Sequence, residues 1–254
     1  MRRAISDTLV LTERNLLRLR AAPDLLIAFT VQPIMFIVLF VYVFGGAIRT
    51  PGFTYATFLL PGIMVQNIAF GGFITAIGIN EDLRKGLIDR FRSLPMARSA
   101  VLAGRTIADI FTNLLAIAIL IVTGLVVGFR FHNGAVPIVV GVLLLLAFGF
   151  AFSWVFAFLG MLVSSPESAN SVGFIAVFPL TFISSAFVPI QSMPAVLRAF
   201  ASVNPFTLTV DAMRALWVGA PAGNSVIGAF AWAVGILAVF APLAVWRYRH
   251  LASR

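Results

Sequence analysis

Asn80-Glu-Asp-Leu-Arg-Lys-Gly-Leu-Ile-Asp-Arg-Phe-Arg-Ser-Leu-Pro-Met-Ala-Arg-Ser99 is a charged island in a chain that is otherwise mostly apolar. Glu81, Asp82 and Asp89 stand there beside Arg84, Lys85, Arg90, Arg92 and Arg98. Apolar runs of membrane-crossing length flank it on both sides, and a segment this charged cannot rest in hydrocarbon. It must lie at or beyond the membrane surface, where a soluble partner can grip it.

The composition around the island agrees. Hydrophobic residues make up 61% of the 254 and charged residues only 11%, against about half and about a quarter in soluble domains. Such a chain has too little polar surface to cover its apolar atoms in water, so the fold class is an all-α, polytopic membrane protein. The absence of cysteine excludes a disulfide framework and a thiolate metal site. The net charge of +9 rests on arginine, Lys85 being the single lysine. In a membrane chain this excess reads as topology rather than nucleic-acid binding. No cleavable leader is expected, since the first apolar run begins near Leu25 and no Ala-x-Ala site closes it.

A span needs roughly 20 mostly apolar residues. Six transmembrane helices are predicted, near 25–44, 55–79, 101–129, 135–163, 171–190 and 226–246, within one domain over 1–254. Fourteen basic residues then fall on one side, and Arg49, Arg130, Arg198 and Arg214 on the other. The richer side is predicted to be cytoplasmic, with both termini inside, in a plasma (inner) membrane. Residues 4–22 read as an amphipathic helix, with Ile5, Leu9, Leu16 and Leu19 on one face and Asp7, Arg14 and Arg18 on the other. Its apolar face would lie in the headgroup boundary, and Pro23 would end it. Between the last two spans, 188–218 is too broken to cross the membrane and too apolar for a free loop. It is predicted to form two short re-entrant helices with corners at Pro189, Pro194 and Pro205.

The chemistry is defined largely by what is missing. No Gly-x-x-x-x-Gly-Lys-Ser/Thr occurs, so no P-loop ATPase is encoded. His132 and His250 fall on opposite sides, and no metal site is predicted. Asp109 is nearly the sole carboxylate within a span, which leaves proton-driven transport little support. The remaining polar groups are uncharged: Gln66, Asn67 and Thr75 in the second span, Thr112 and Asn113 in the third, and Thr181, Ser184 and Ser185 around Pro179 in the fifth. They either bond neighbouring helices or line a substrate path. Phe148, Phe152 and Phe156 repeat every four residues, as do Phe174, Phe178 and Phe182. Each set is either a packing or lipid-facing stripe, or an aromatic wall suited to a bulky hydrophobic or cationic cargo.

Three stretches together carry a resemblance: 82–99, the segment from Phe174 to Ser184-Ser-Ala-Phe-Val-Pro189, and Met193-Pro-Ala-Val-Leu-Arg-Ala-Phe-Ala-Ser-Val-Asn-Pro-Phe-Thr207 followed by Asp211-Ala-Met-Arg214. The chain resembles type-2 ABC exporter permeases, nearest the daunorubicin-resistance branch of actinobacteria, over almost its whole length. Leu208 departs from the polar or aromatic residue common in that family after Asn-Pro-x-Thr.

The resemblance implies the membrane half of an exporter for a bulky hydrophobic compound, an antibiotic or a lipid. Two permeases would pair, as a homodimer or with a paralogue, and two separate ATPase subunits would supply ATP and Mg. The chain itself would hold no cofactor and bind no nucleic acid. Within 81–98, Glu81, Asp82, Arg84, Asp89, Arg90 and Arg92 map onto the ATPase-coupling helix, and Leu9, Arg14, Leu16 and Arg18 onto the interface helix. Gln66, Asn67, Asn113, Phe178, Thr181, Phe182 and Ser185 are candidates for the substrate path. Pro189, Pro194, Phe200, Asn204, Pro205, Phe206 and Arg214 are the residues of interest in the outer hairpin. Alternatives are a polysaccharide or teichoic-acid exporter, for which three Tyr and four Trp are sparse, or a membrane enzyme or sensor, for which no His/Asp/Glu cluster is visible.

Overall fold

The computed structural model describes residues 2–20, 23–48, 50, 52–85 and 98–251. They are helical throughout, with no strand among them. Helix α1 is Arg2–Arg20. Helix α2 is Pro23–Leu39 and passes into a π-helical turn, Phe40–Phe44. Helices α3 (Tyr55–Phe70) and α4 (Gly72–Arg84) meet at Gly71 and together form a 30-residue apolar rod. Helix α5 is Arg98–Val127, α6 is Ala135–Gly160 and α7 is Pro166–Phe182. A short 3₁₀ turn, Ile190–Ser192, precedes α8 (Ala195–Val203) and α9 (Pro205–Val218), and α10 is Ser225–Leu251.

Four of these are long and apolar enough to cross a membrane: the α3–α4 rod, α5, α6 and α10. The chain is an integral membrane protein. The two remaining predicted spans correspond to α2 with its π turn and to α7. Helix α7 departs from the sequence reading in extent, starting at Pro166 and stopping at Phe182 instead of running to 190. Its start is set by Ser165, whose hydroxyl accepts the Ser168 amide at 3.2 Å, with Pro166 at the first helical position. Pro179 leaves the last turn short of a donor, and the chain turns away through Ser184 and Ser185.

Apolar burial does not drive helices together in lipid, because the tails are as apolar as leucine; close packing does. Helix α6 is the hub, packing on α3, α4, α5, α9 and α10. Leu144, Leu145, Phe148 and Phe156 on it are fully enclosed. Gly62 on α3 shows how tight the seams are, since a Cβ there would sit 2.1 Å from the Ala186 carbonyl oxygen.

Two details refine the sequence reading. Helix α1 packs against α5 through Leu11 and Thr12, and leaves Leu9 61% exposed and Leu16 half-buried. Gly104 on α5 permits this by bringing its backbone against Leu11 and the Thr8 carbonyl. The coupling segment also differs. Glu81, Asp82 and Arg84 belong to the last turn of α4, so they continue the second apolar rod and do not start a separate helix. Asp89, Arg90 and Arg92 lie outside the described residues, as does the Arg18 side chain.

The stretch 188–218 folds into a 3₁₀ turn and two short helices. Pro189 precedes the 3₁₀ turn, Pro194 caps α8 and Pro205 opens α9. Asn204 caps α9 by accepting the Phe206 amide at 2.8 Å. Gly219, at φ 74°, ends it in the left-handed conformation that glycine adopts without strain.

Candidate functional site

A cleft of about 500 Å³ opens between α2, α3, α4 and α7. Its walls carry the rings of Phe36, Phe70, Phe73 and Phe174. Four carboxamides, Gln32, Gln66, Asn67 and Asn170, supply hydrogen bonds, and Glu167 at the start of α7 supplies a carboxylate. Gln66 and Asn67, candidates for a substrate path, line this cleft. Asn113 lies next door, in a small pocket that shares Asn67 and includes Asp109 and Thr112.

The two phenylalanine stripes, alike in sequence, part company in space. Phe148, Phe152 and Phe156 are buried in the core. Phe174, Phe178 and Phe182 stack at 4.7 and 4.2 Å on the open face of α7, each more than a third exposed. The stack continues through Phe187 at 5.0 Å to Phe40 at 5.1 Å, and on to Phe44 at 5.2 Å. A ladder of rings therefore leaves the cleft at Phe174 and climbs to the end of α2. Phe178 and Phe182 belong to the ladder, outside the cleft.

Thr181 and Ser185 serve elsewhere. Thr181 donates to the Val177 carbonyl within α7 at 3.0 Å. Ser185 belongs to a polar knot around Arg214. Arg214 is buried. It donates to the Phe58 carbonyl at 2.8 and 3.0 Å, to the Ser185 carbonyl at 2.8 Å and to Asp211 at 3.0 Å, with its guanidinium 3.5 Å from the centre of the Phe58 ring. Ser185 donates to Asp211 at 2.8 Å, and the Thr207 hydroxyl accepts the Ser185 amide at 3.2 Å. Asn204 donates to the Leu180 and Ile183 carbonyls, the ones left open where α7 frays. The knot thus staples α3, the end of α7 and α9 together. Sequence reasoning missed Asn133, which donates to the Ala215 and Leu216 carbonyls and closes the other end of α9.

Within the hairpin, Phe206 is fully buried against Phe148 and Phe152, so it is a core residue. Phe200 on α8 is exposed, with Val196, Leu197 and Val203 beside it. Arg198 is anchored to the Gln191 and Met193 carbonyls.

At the end of the bundle where α1 lies, Asp82 is buried and sits between Arg14 of α1 at 3.7 Å and Arg105 of α5 at 3.6 Å. Arg105 also donates to the Ile74 carbonyl at 2.8 Å, crossing α4 at Gly78, where any Cβ would collide with the guanidinium. Asp82 is therefore engaged inside the fold. Glu81 pairs with Lys85 at 3.3 Å, and Arg84 is exposed. Deeper along α5, the Thr75 hydroxyl donates to Asp109. A file of polar groups runs in this way from the α1 end towards the pocket that shares Asn67 with the cleft. Among the described residues no group of His, Asp or Glu could hold a metal ion.

Residues 6–217 match the family model of the ABC-2 type transporter. The chain is similar to a daunorubicin resistance ABC transporter permease protein of Streptomyces coeruleorubidus, 36% identical over 97% of this chain and 87% of the relative. It is also similar to a probable doxorubicin resistance ABC transporter permease protein of Mycobacterium tuberculosis, 26% identical over 98% of this chain and 90% of that one. A putative transport permease of Cyanophora paradoxa is 24% identical over 84% and 74%. With the match covering most of its length, the chain belongs to the ABC-2 type transporter family.

Proposed function

We propose that this chain is the permease subunit of an ATP-driven exporter that moves a bulky hydrophobic compound, an antibiotic or a lipid, out of the cytoplasm or inner leaflet. The observation that carries the reading is the cleft with its ladder: a drug-sized, aromatic, largely apolar space of about 500 Å³, continued by stacked rings on an open face. The names of the relatives, which concern daunorubicin and doxorubicin resistance, favour the same class of cargo.

In this reading α2 with its π turn and α7 complete a set of six spans, and the excess of basic residues holds both termini in the cytoplasm of a plasma (inner) membrane. A second permease, identical or paralogous, faces the ladder and supplies the opposite wall. Two ATPase subunits, loaded with ATP and Mg, grip the segment after α4, with Glu81, Arg84, Asp89, Arg90 and Arg92 on the contact surface. Asp82 transmits the push through Arg14 and Arg105. The interface helix lies against the headgroups with Leu9 outward, and the hairpin over 188–218 caps the outer end, with Phe200 towards the lipid or the exit.

The chain carries no P-loop, so ATP hydrolysis should appear only when the partner subunit is added. Reconstitution of the chain with that subunit should give ATP-dependent movement of a hydrophobic dye across vesicles, and omission of either component should abolish it. Robust hydrolysis by the purified chain alone, or no transport by the complete pair, would overturn the reading.

A further inference from the structure

Helix α10 turns Ala229, Ala233, Ile236 and Ala244 into the bundle. Val239, Leu243 and Trp246, each more than a third exposed, follow one another at steps of four and three residues. They form one outward stripe. A further step of three or four residues along it reaches Arg249 and His250, both exposed. The His250 ring lies 4.4 Å from that of Trp246, and its Nδ1 is 2.9 Å from the Trp246 carbonyl. A carbonyl only accepts, so Nδ1 carries the hydrogen there and the imidazole is held against the indole. Half-buried Arg247 reaches the Met161 carbonyl at 3.4 Å, beside the end of α6. Neither α10 nor its main neighbour α6 contains an acidic residue. The other helices packed on α10 are α9 and α5. Their carboxylates include Asp211 and Asp109, which are engaged with Arg214 and Thr75.

The lengths match one leaflet. Half of a hydrocarbon core is about 15 Å, or about ten helical residues. Ten residues back from Trp246 is Ile236, so Val239 and Leu243 lie within that depth. An indole favours the boundary between acyl chains and headgroups, and the next turn of α10 then enters the phosphate layer. We propose that this face of α10 binds an anionic phospholipid. Its acyl chain lies along Val239 and Leu243, its glycerol region meets Trp246, and its phosphate is held by Arg249 and His250. A guanidinium presents a planar fork to phosphate, and the stacked imidazole is preset beside it. Such a site works whatever compound the chain exports. Basic residues in a last turn also complement the helix dipole, but that role is indifferent to the headgroup.

The chain has no cysteine, so a single one can carry a local probe. Bimane on Ala238→Cys, exposed next to Val239, reports the lipid at the stripe through quenching by brominated acyl chains. In nanodiscs of the full chain, brominated phosphatidylglycerol should quench at a lower mole fraction than brominated phosphatidylcholine. Arg249→Gln combined with His250→Gln should reduce that preference about fivefold or more, the scale of one arginine near an anionic surface, and leave phosphatidylcholine quenching unchanged. Arg249→Lys should keep most of the preference. Arg130→Gln, beyond the opposite end of α5 from the Leu102–Tyr248 contact, should leave it intact. Equal quenching by the two lipids in the parent would overturn the proposal. So would a preference that survives the double substitution or falls equally in Arg130→Gln, because the charge of the whole chain would then be its source. Relief of quenching by soluble glycerol phosphate would give the site to a free phosphate, and no quenching by either lipid would give the face to protein; both outcomes would also overturn it.

Discussion

Arg214 shows how one residue can hold a membrane fold together. A guanidinium is expensive in hydrocarbon, and here its donors are spent on the backbone carbonyls of Phe58, Ser185 and Ala186 and on the Asp211 carboxylate. Phe58 lies in the first turn of α3, and Ser185 and Ala186 lie just past the end of α7. Arg214→Ala would leave Asp211 and these acceptors stranded, at a cost of about 3–5 kcal/mol. The Tm of the detergent-solubilised chain should fall steeply. Arg214→Lys should recover part of the loss, since an ammonium cannot reproduce the planar fork. A Tm for Arg214→Ala equal to the parent's would show that the knot is not a stability centre. The sequence revealed the Asp211–Arg214 pair, because three residues is one helical turn. It could not reveal Phe58, which lies 156 residues away and contributes only a backbone oxygen.

At the scale of elements, the helix boundaries that carry a chemical marker were legible and the faces were not. Pro194, Asn204-Pro205 and Pro23 announce helix starts through the missing N–H and the capping amide, and a helix begins at or directly after each. Periodicity says that Phe148, Phe152 and Phe156 share a face, and the same of Phe174, Phe178 and Phe182. It cannot say which trio is inside, because lipid accepts an outward phenylalanine as readily as a core does. In α1 the periodicity does not single out Leu11, which is the residue that packs, while Leu9 stays exposed. What fixes the choice is a glycine on the neighbour. Gly104→Val would place atoms within 2.8 Å of the Leu11 Cβ and should lift α1 off α5. Amide hydrogen exchange should then accelerate across Arg2–Arg20 and stay unchanged in α6 and α10. Unaltered exchange in α1 would mean that other contacts hold it.

For the whole molecule, the prediction concerns sidedness. The basic excess predicts the α1 end in the cytoplasm and the loop between α9 and α10 outside. The chain has no cysteine, so single ones can report position. Asn133 is a poor choice because it holds the end of α9, and Ser225 is buried. Exposed Asn224 and Lys85 serve better. An impermeant thiol reagent added to intact cells should label Asn224→Cys, and should label Lys85→Cys only after the membrane is opened. Labelling of Lys85→Cys in intact cells would invert the orientation.

The phenylalanine ladder also bears on speed. Successive rings along α7 repeat at 4.7 and 4.2 Å, and the next two steps are 5.0 and 5.1 Å. A flat molecule sliding along such a rail exchanges one ring face for a nearly equal one at each step, so no rung is a deep trap. Ring pairs contribute only about 0.5–1.5 kcal/mol beyond their contact area, close to thermal energy. If the proposed export reading holds, the exposed rings of Phe174, Phe178 and Phe182 would act as a low-friction track, and the signature would be fast turnover of weakly held molecules.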